Sequence, residues 1–163
     1  MEEWAAVPDF PGYLVSSFGY VRRENSRQDL TVHINNTGTA YVSLWKRGKG
    51  HTRSLALLVA NAFLDPDPNE LFDTPINLNG DRLDNRVENL MWRPNWFARK
   101  YSSQFSIPWK VFNRPILLLD TAEVFPNSWT AAMTYGLINV EIVMALVNAD
   151  QVWPTRQIYR VYE

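Results

Sequence analysis

The chain has 163 residues, 16 basic and 17 acidic side chains, a net charge of −1, 46% hydrophobic residues and no cysteine. A length of that order suits one large domain or two small ones and buries enough surface to need no disulfide or metal staple; the missing cysteines exclude a disulfide scaffold, a thiolate zinc finger and a cysteine nucleophile. The first residues, Met1-Glu2-Glu3-Trp4, lack the basic and apolar segments of a secretory leader, and no apolar run approaches the ~20 residues of a membrane span, so a soluble intracellular protein with no membrane partner is expected.

In chain order, Pro8-Asp9-Phe10-Pro11-Gly12 is turn chemistry, because prolines fix φ and glycine permits a tight reversal. Tyr13-Leu14-Val15-Ser16 and Tyr20-Val21-Arg22 read as short strands about Gly19, and Thr31-Val32-His33-Ile34 as a further strand closed by Asn35-Asn36-Thr37-Gly38. Ala40 to Trp45 alternates at period two, Lys46-Arg47-Gly48-Lys49-Gly50 forms a hairpin turn, and His51-Thr52-Arg53 begins the return strand. Leu55 to Phe63 is apolar nearly all round and predicts a buried helix, ended by Asp65-Pro66-Asp67-Pro68. Asp73 to Trp92 is short, polar and rich in asparagine and aspartate. A helix with proline in its first turn is expected over 94–104, and Ser106-Ile107-Pro108 reads as a joint, which places a boundary near residues 105–112. Beyond it, 115–120 and 123–125 suggest a hairpin. Asn127 or Ser128 caps a helix that Gly136 ends, Asn139 caps a second helix through Val147, and 157–162 is the last strand.

The charge is unevenly placed. Residues 19–53 carry Arg22, Arg23, Arg27, Lys46, Arg47, Lys49 and Arg53 against Glu24 and Asp29. Residues 93–110 carry Arg93, Arg99, Lys100 and Lys110 with no acid, whereas 65–73 carry four acids and no base. Residues 111–163 hold three basic and five acidic side chains. Positive charge gathered on part of a near-neutral chain is the footprint of a phosphate-binding surface, and it is equally the pattern of solvated faces.

Several of these segments together carry a resemblance. Trp4, Val7, Asp9-Phe10-Pro11-Gly12-Tyr13, Val15-Ser16, Gly19 and Val21-Arg22 resemble the N-terminal module, NUMOD4, of phage HNH homing endonucleases. Tyr41 to Leu44, Gly48-Lys49, Ser54 and Leu58 to Phe63 are similar to the hairpin and helix that follow in that family. Ile76-Asn77-Leu78-Asn79-Gly80-Asp81, Asp84-Asn85-Arg86-Val87-Glu88-Asn89 and Leu90-Met91-Trp92 resemble its ββα-metal core, and the segment from Ser128 through Ala131-Ala132, Gly136-Leu137, Ile142 and Leu146 resembles its C-terminal helix-turn-helix. The resemblance implies an α+β fold in which a small β-rich N-terminal module leads into an HNH-like ββα core over residues 1–105. A β-hairpin and helix-turn-helix module then occupies 106–163. It also implies double-stranded DNA as partner, Mg²⁺ or Mn²⁺ as the family's cofactor with none expected to be bound here, and a place in the cytoplasm of an infected bacterium or in the virion.

HNH hydrolysis needs a general base, ordinarily histidine, to deprotonate water, and a divalent cation to stabilise charge on the phosphate. By the resemblance the base belongs at Leu78, where no proton can be taken, and the loop to Gly80 is one residue short. A second family histidine corresponds to Ala56, and the asparagine after the family's tryptophan falls near Phe97. What remains is Asn89 at the central asparagine of the motif and Asn77, with Asp81 and Asp84, as potential ligands of a hard cation. Asn89 is equally suited to holding the loop through backbone hydrogen bonds, and Asp81 and Asp84 are read as capping a turn in preference to binding a cation. His33 and His51 match no catalytic position; His51 is expected as exposed polar surface.

For DNA, Arg22, Arg23, Lys46, Arg47, Lys49 and Arg53 in the first part and Arg99 and Lys100 in the second are the expected phosphate contacts. The second helix of a helix-turn-helix reads base edges with polar side chains. Here residues 140–147 hold no lysine, arginine, asparagine or glutamine, and Glu141 has the wrong sign. That helix suits packing against protein through Ile142, Val143 and Leu146. Three functions follow: a DNA-binding HNH descendant with a degenerate site; a fold turned to binding protein, as a virion component or an inhibitor; and an active metal-dependent nuclease with a site rebuilt on Asp81, Asp84 and Asn89.

Overall fold

A computed structural model describes residues 1–107 and 110–163, and the chain divides into two compact units, Met1–Pro94 and Asn95–Glu163. Pro108, which closes the expected joint, lies outside the described residues.

The first unit opens with an antiparallel sheet of β1 (Trp4–Ala6), β2 (Tyr13–Ser16) and β3 (Val21–Arg23) in the order β1-β2-β3. A second sheet is β4 (His33–Ile34), β5 (Ala40–Lys46) and β6 (Lys49–Ser54). The period-two pattern of β5 puts Ala40, Val42 and Leu44 inside and leaves Ser43 and Trp45 exposed. Lys46 pairs with Lys49, so the turn is only Arg47-Gly48, and both residues have positive φ, 51° and 74°. That is the primed two-residue turn whose twist suits a hairpin.

Ser54 ends β6 and caps α1 (Leu55–Phe63), its hydroxyl accepting from the Leu57 N–H. Leu55, Leu58, Val59 and Ala60 are buried, while Ala56 and the other apolar residues are only partly covered, so α1 has one fully buried face rather than being enclosed all round. It packs on Val15, Val42 and Leu44 to form the core of this unit. β7 (Thr74–Asn77) and β8 (Leu90–Arg93) complete the unit as an antiparallel pair, with Asn77 opposite Leu90. The chain between them docks on the first sheet: Val87 N–H donates to the Ser17 carbonyl at 2.9 Å. Gly19 sits at φ +88°, and a Cβ there would lie 3.3 Å from the Asn85 carbonyl oxygen. Glycine is required at that turn both by backbone angle and by the close approach.

The second unit begins with α2 (Asn95–Ser103). β9 (Ile116–Leu118) and β10 (Glu123–Phe125) form the expected hairpin. α3 (Ser128–Tyr135) is capped by the Asn127 side chain and ended by Gly136 in the left-handed region. α4 (Asn139–Asn148), β11 (Gln151–Val152) and β12 (Gln157–Val161) follow, and the sheet order is β10-β9-β12-β11. Ile116, Leu118, Leu137, Ile142 and Tyr159 are fully buried in its core.

Three expectations change. The division falls at Pro94/Asn95. The helix expected at the end of the first domain contributes to the second, where Tyr101 Oη donates to Met133 Sδ at 3.8 Å, Phe105 meets Trp129 edge-on at 5.3 Å, and the Gln104 amide donates to the Leu137 carbonyl. The strands β7 and β8 and the helix α2 of the expected ββα element therefore belong to different units. Asn139 does not cap α4 with its side chain; the cap position is Ile138, and the Asn139 N–H is accepted by Gln104 Oε1 at 3.0 Å. Finally, Ile142 and Leu146 of α4 pack inward, leaving Val140, Met144 and Val147 as its exposed apolar residues.

Candidate functional site

The chain between β7 and β8 is held by side-chain amides. Asn77, Leu78, Asn79 and Gly80 form a turn closed by the Gly80 N–H to the Asn77 carbonyl at 2.9 Å. Asn89, buried at the end of a short 3₁₀ turn (Val87–Asn89), reaches across to this turn. Its Oδ1 accepts from the Asn79 N–H at 3.0 Å, and its Nδ2 donates to Asn79 Oδ1 at 2.9 Å and to the Asp84 carbonyl at 2.8 Å. Its backbone carbonyl accepts from the Leu78 N–H at 2.8 Å. Asn77 Nδ2 donates to the same Asp84 carbonyl and to Asn85 Oδ1. Asn79 completes the mesh by donating to Asp84 Oδ2 at 2.9 Å.

The acids belong to this mesh as well. Asp81 Oδ1 accepts from the Leu83 N–H at 2.9 Å, an Asx turn. Both oxygens of Asp84 accept from Arg86, at 2.8 and 2.9 Å, in the planar two-bond arrangement that suits a guanidinium. The Arg86 hydrogen bonds hold the Asp84 carboxyl below its ordinary value, and the exposed Arg86 is raised in turn. A carboxylate depressed in the folded state contributes stability that is present above its unfolded pKa and lost as pH falls through the folded one. Unfolding stability should therefore fall as pH drops below the ordinary value of 3.8, and Asp84→Asn should flatten that acid limb in urea titrations at stepped pH. Among the described residues, no three His, Asp or Glu side chains come together as a metal-holding group.

Leu78 is half-buried, with its backbone in the turn. Ala56 lies on α1, packed against the first core. Phe97 is fully buried on α2 and stacks on Tyr101 with ring centres 6.3 Å apart. His33 is exposed and stacked on Tyr41 at 5.4 Å. His51 is half-buried rather than exposed, edge-on to Phe10 at 5.5 Å, because β6 turns it toward the same side as Leu44.

Six basic residues of the first unit sit on aromatic supports or at the hairpin tip. Phe10 carries the Lys46 ammonium at 5.6 Å and the Arg53 guanidinium at 4.9 Å. Arg22 lies 3.7 Å over Trp4, and Arg23 5.7 Å over Tyr13. Arg47 and Lys49 are exposed at the β5–β6 turn. Aromatic faces attract cations and limit their wandering, so these heads are held at the surface. Arg22, Lys46 and Arg53 are half-buried, and Arg22 Nε is buried without a hydrogen-bond partner, so Arg22 is chiefly a stacking residue. Arg99 and Lys100 are exposed on α2 of the other unit.

Asn79 and Arg86 were missed in the sequence, although Asn79-Gly80 is a turn signal and Arg86 lies two residues from Asp84. Exposed Trp45, whose ring a Cβ on Gly50 would meet at 3.6 Å, was missed although the period-two pattern of β5 turns it outward.

The fold is like that of an HNH homing endonuclease. The chain aligns over 98% of its length, and 98% of the other's, with a solved structure of DNA binding and cleavage by the HNH homing endonuclease I-HmuI, at a TM-score of 0.55 and 19% identity. In sequence it is similar to the H-N-H endonuclease F-TflII of Escherichia phage T5, 32% identical over 65 residues, which are 40% of this chain and 34% of that protein. It is also similar to an uncharacterized HNH endonuclease of Acanthamoeba polyphaga mimivirus, 34% identical over 99 residues, 56% of this chain and 23% of that one. The chain thus spans about a third or less of the length of these curated relatives. No family model matches it.

Proposed function

We propose that this chain is a phage-type DNA-binding protein of HNH homing-endonuclease ancestry that holds duplex DNA without cutting it, inside an infected cell. The carrying observation is the loop after β7. Leucine stands at the position the resemblance gives to the general base, and Asn89, Asp81 and Asp84 are committed to Asn79, Arg86 and backbone groups. A carboxylate clasped by arginine is a poor ligand for Mg²⁺ or Mn²⁺, which favour several free oxygen donors, and the residues present do not fit such a cation. This also argues against a nuclease rebuilt on Asp81, Asp84 and Asn89. The N-terminal module is read as a DNA-contacting module on the same resemblance, with Arg23, Lys46, Arg47, Lys49 and Arg53 as the main phosphate contacts of the first unit. Arg99 and Lys100 supply those of the second.

The test is a paired assay on mixed-sequence duplex DNA with Mg²⁺ or Mn²⁺, at low and moderate salt. Binding that weakens steeply with salt, with no strand scission, is the expected result. Metal-dependent nicking would sink the degenerate-site reading, and absent binding at low salt would sink the DNA reading. A second reading, an HNH-derived shell that binds protein, is favoured by the exposed apolar residues Val140, Met144 and Val147 on α4.

A further inference from the structure

The second unit contains a groove of about 390 Å³ beside α4, bounded by Trp96, Val140, Glu141, Met144, Asp150 and Trp153. Both tryptophans are about half exposed, at 52% and 53%, with ring centres 6.3 Å apart and planes at 65°. Val140 and Met144, one helical turn apart, are equally exposed on α4. Glu141 lies between them in sequence, and its Oε2 is buried with no hydrogen-bond partner. Burial pushes the Glu141 carboxyl above its ordinary value, only partly opposed by Lys100. Lys100 sits 5.8 Å over the Trp96 ring, and among the described residues no cation forms an ion pair with Glu141.

An acceptor removed from water and left without a donor is costly, and the Glu141 carboxylate, which lines the groove, recovers that loss when it turns to a charged donor docked there. The rest of the groove has the chemistry of a cation's surroundings. Indole faces attract guanidinium and ammonium groups, and arginine in particular stacks on them while its fork reaches a carboxylate. Glu141 and Asp150 outnumber Lys100 in the lining, so the acidic side of the groove favours a cation over a phosphate. The apolar side chains alongside supply the desolvated surround that makes such an anchor strong.

We propose that this groove docks a protein segment that carries a basic side chain, arginine foremost, against Glu141 beside the Trp96 and Trp153 rings, with a neighbouring apolar side chain on Val140 and Met144. The groove belongs to the second unit and the basic hairpin to the first, and failure of the proposal would leave the DNA reading standing.

The experiment follows the indole N–H signals of Trp96 and Trp153 by NMR in the full chain. The probe is a short amphipathic helical peptide with a leucine stripe and one central arginine, and its counterpart has glutamine in place of arginine. The arginine peptide should shift both indole signals saturably and bind roughly tenfold more tightly, the worth of one charge-assisted hydrogen bond. Glu141→Gln should erase that preference while leaving the melting temperature close to that of the parent chain, since the substitution keeps the size of a half-buried side chain. Equal affinity for the two peptides, a preference that survives Glu141→Gln, or no shift at all would overturn the proposal. A shift produced by duplex DNA and not by the peptide would give the groove to nucleic acid and overturn it equally.

Discussion

Replacing Lys46, Arg47 and Lys49 together by alanine should flatten the salt dependence of DNA binding. Each phosphate neutralised by a cation contributes about 0.9 to the slope of log affinity against log salt on duplex DNA. If all three side chains meet phosphates, the slope should fall by about 3, and affinity at low salt should fall by more than tenfold. Fold damage would not produce this result. Arg47 and Lys49 are exposed, and Lys46 gives up only its contact with Phe10, worth about 0.5–1 kcal/mol at an exposed site. Fluorescence anisotropy on a labelled duplex across a salt series, with the melting temperature of each variant, reads both quantities. An unchanged slope would remove the β5–β6 hairpin from the interface.

Asn89→Ala should be the most damaging polar substitution in the first unit. The side chain is 8% exposed and makes three hydrogen bonds, to the Asn79 N–H, to Asn79 Oδ1 and to the Asp84 carbonyl. Its loss leaves the Asn79 amide N–H without its acceptor, whereas the Asp84 carbonyl keeps the bond from Asn77. Each of the three lost hydrogen bonds contributes about 0.5–1.5 kcal/mol net, so a loss of about 2–4 kcal/mol in urea unfolding is expected. Were Asn89 chiefly a metal ligand, the substitution would be nearly neutral to folding in EDTA.

The readable elements were those fixed by local chemistry. The period-two run of β5, the apolar run of α1, and Asn127 and Gly136 at the ends of α3 each encode their own boundary, and the structure follows them. The Lys46-Arg47-Gly48-Lys49 turn was visible too, though its tightening to two residues needed the register. Non-local choices were not visible. Asn139 has the composition of a cap, but a buried Ser128 hydroxyl at 2.6 Å takes its side chain inward, and Gln104 takes its amide. The apolar residues of α4 were countable, yet which of them face solvent depends on where the sheet lies. The loop from Asn77 to Asn89 was recognisable by resemblance. Its self-contained bonding was not, because the Asp84–Arg86 clasp and the Asn79 crosslinks are choices among many polar partners of similar type.

Gln104 lies just beyond α2, donates to the Leu137 carbonyl and accepts from the Asn139 amide, so it finishes the start of α4 from some 35 residues upstream. Genetic exchange that spliced a foreign sequence after residue 105 would deliver the helix pair with a buried amide unanswered and a carbonyl without its donor. A splice ahead of residue 95 would carry donor, acceptor and helix together. The natural cassette in this half of the chain is therefore one element longer than its helix pair, and grafts that respect that seam are the ones that keep their fold.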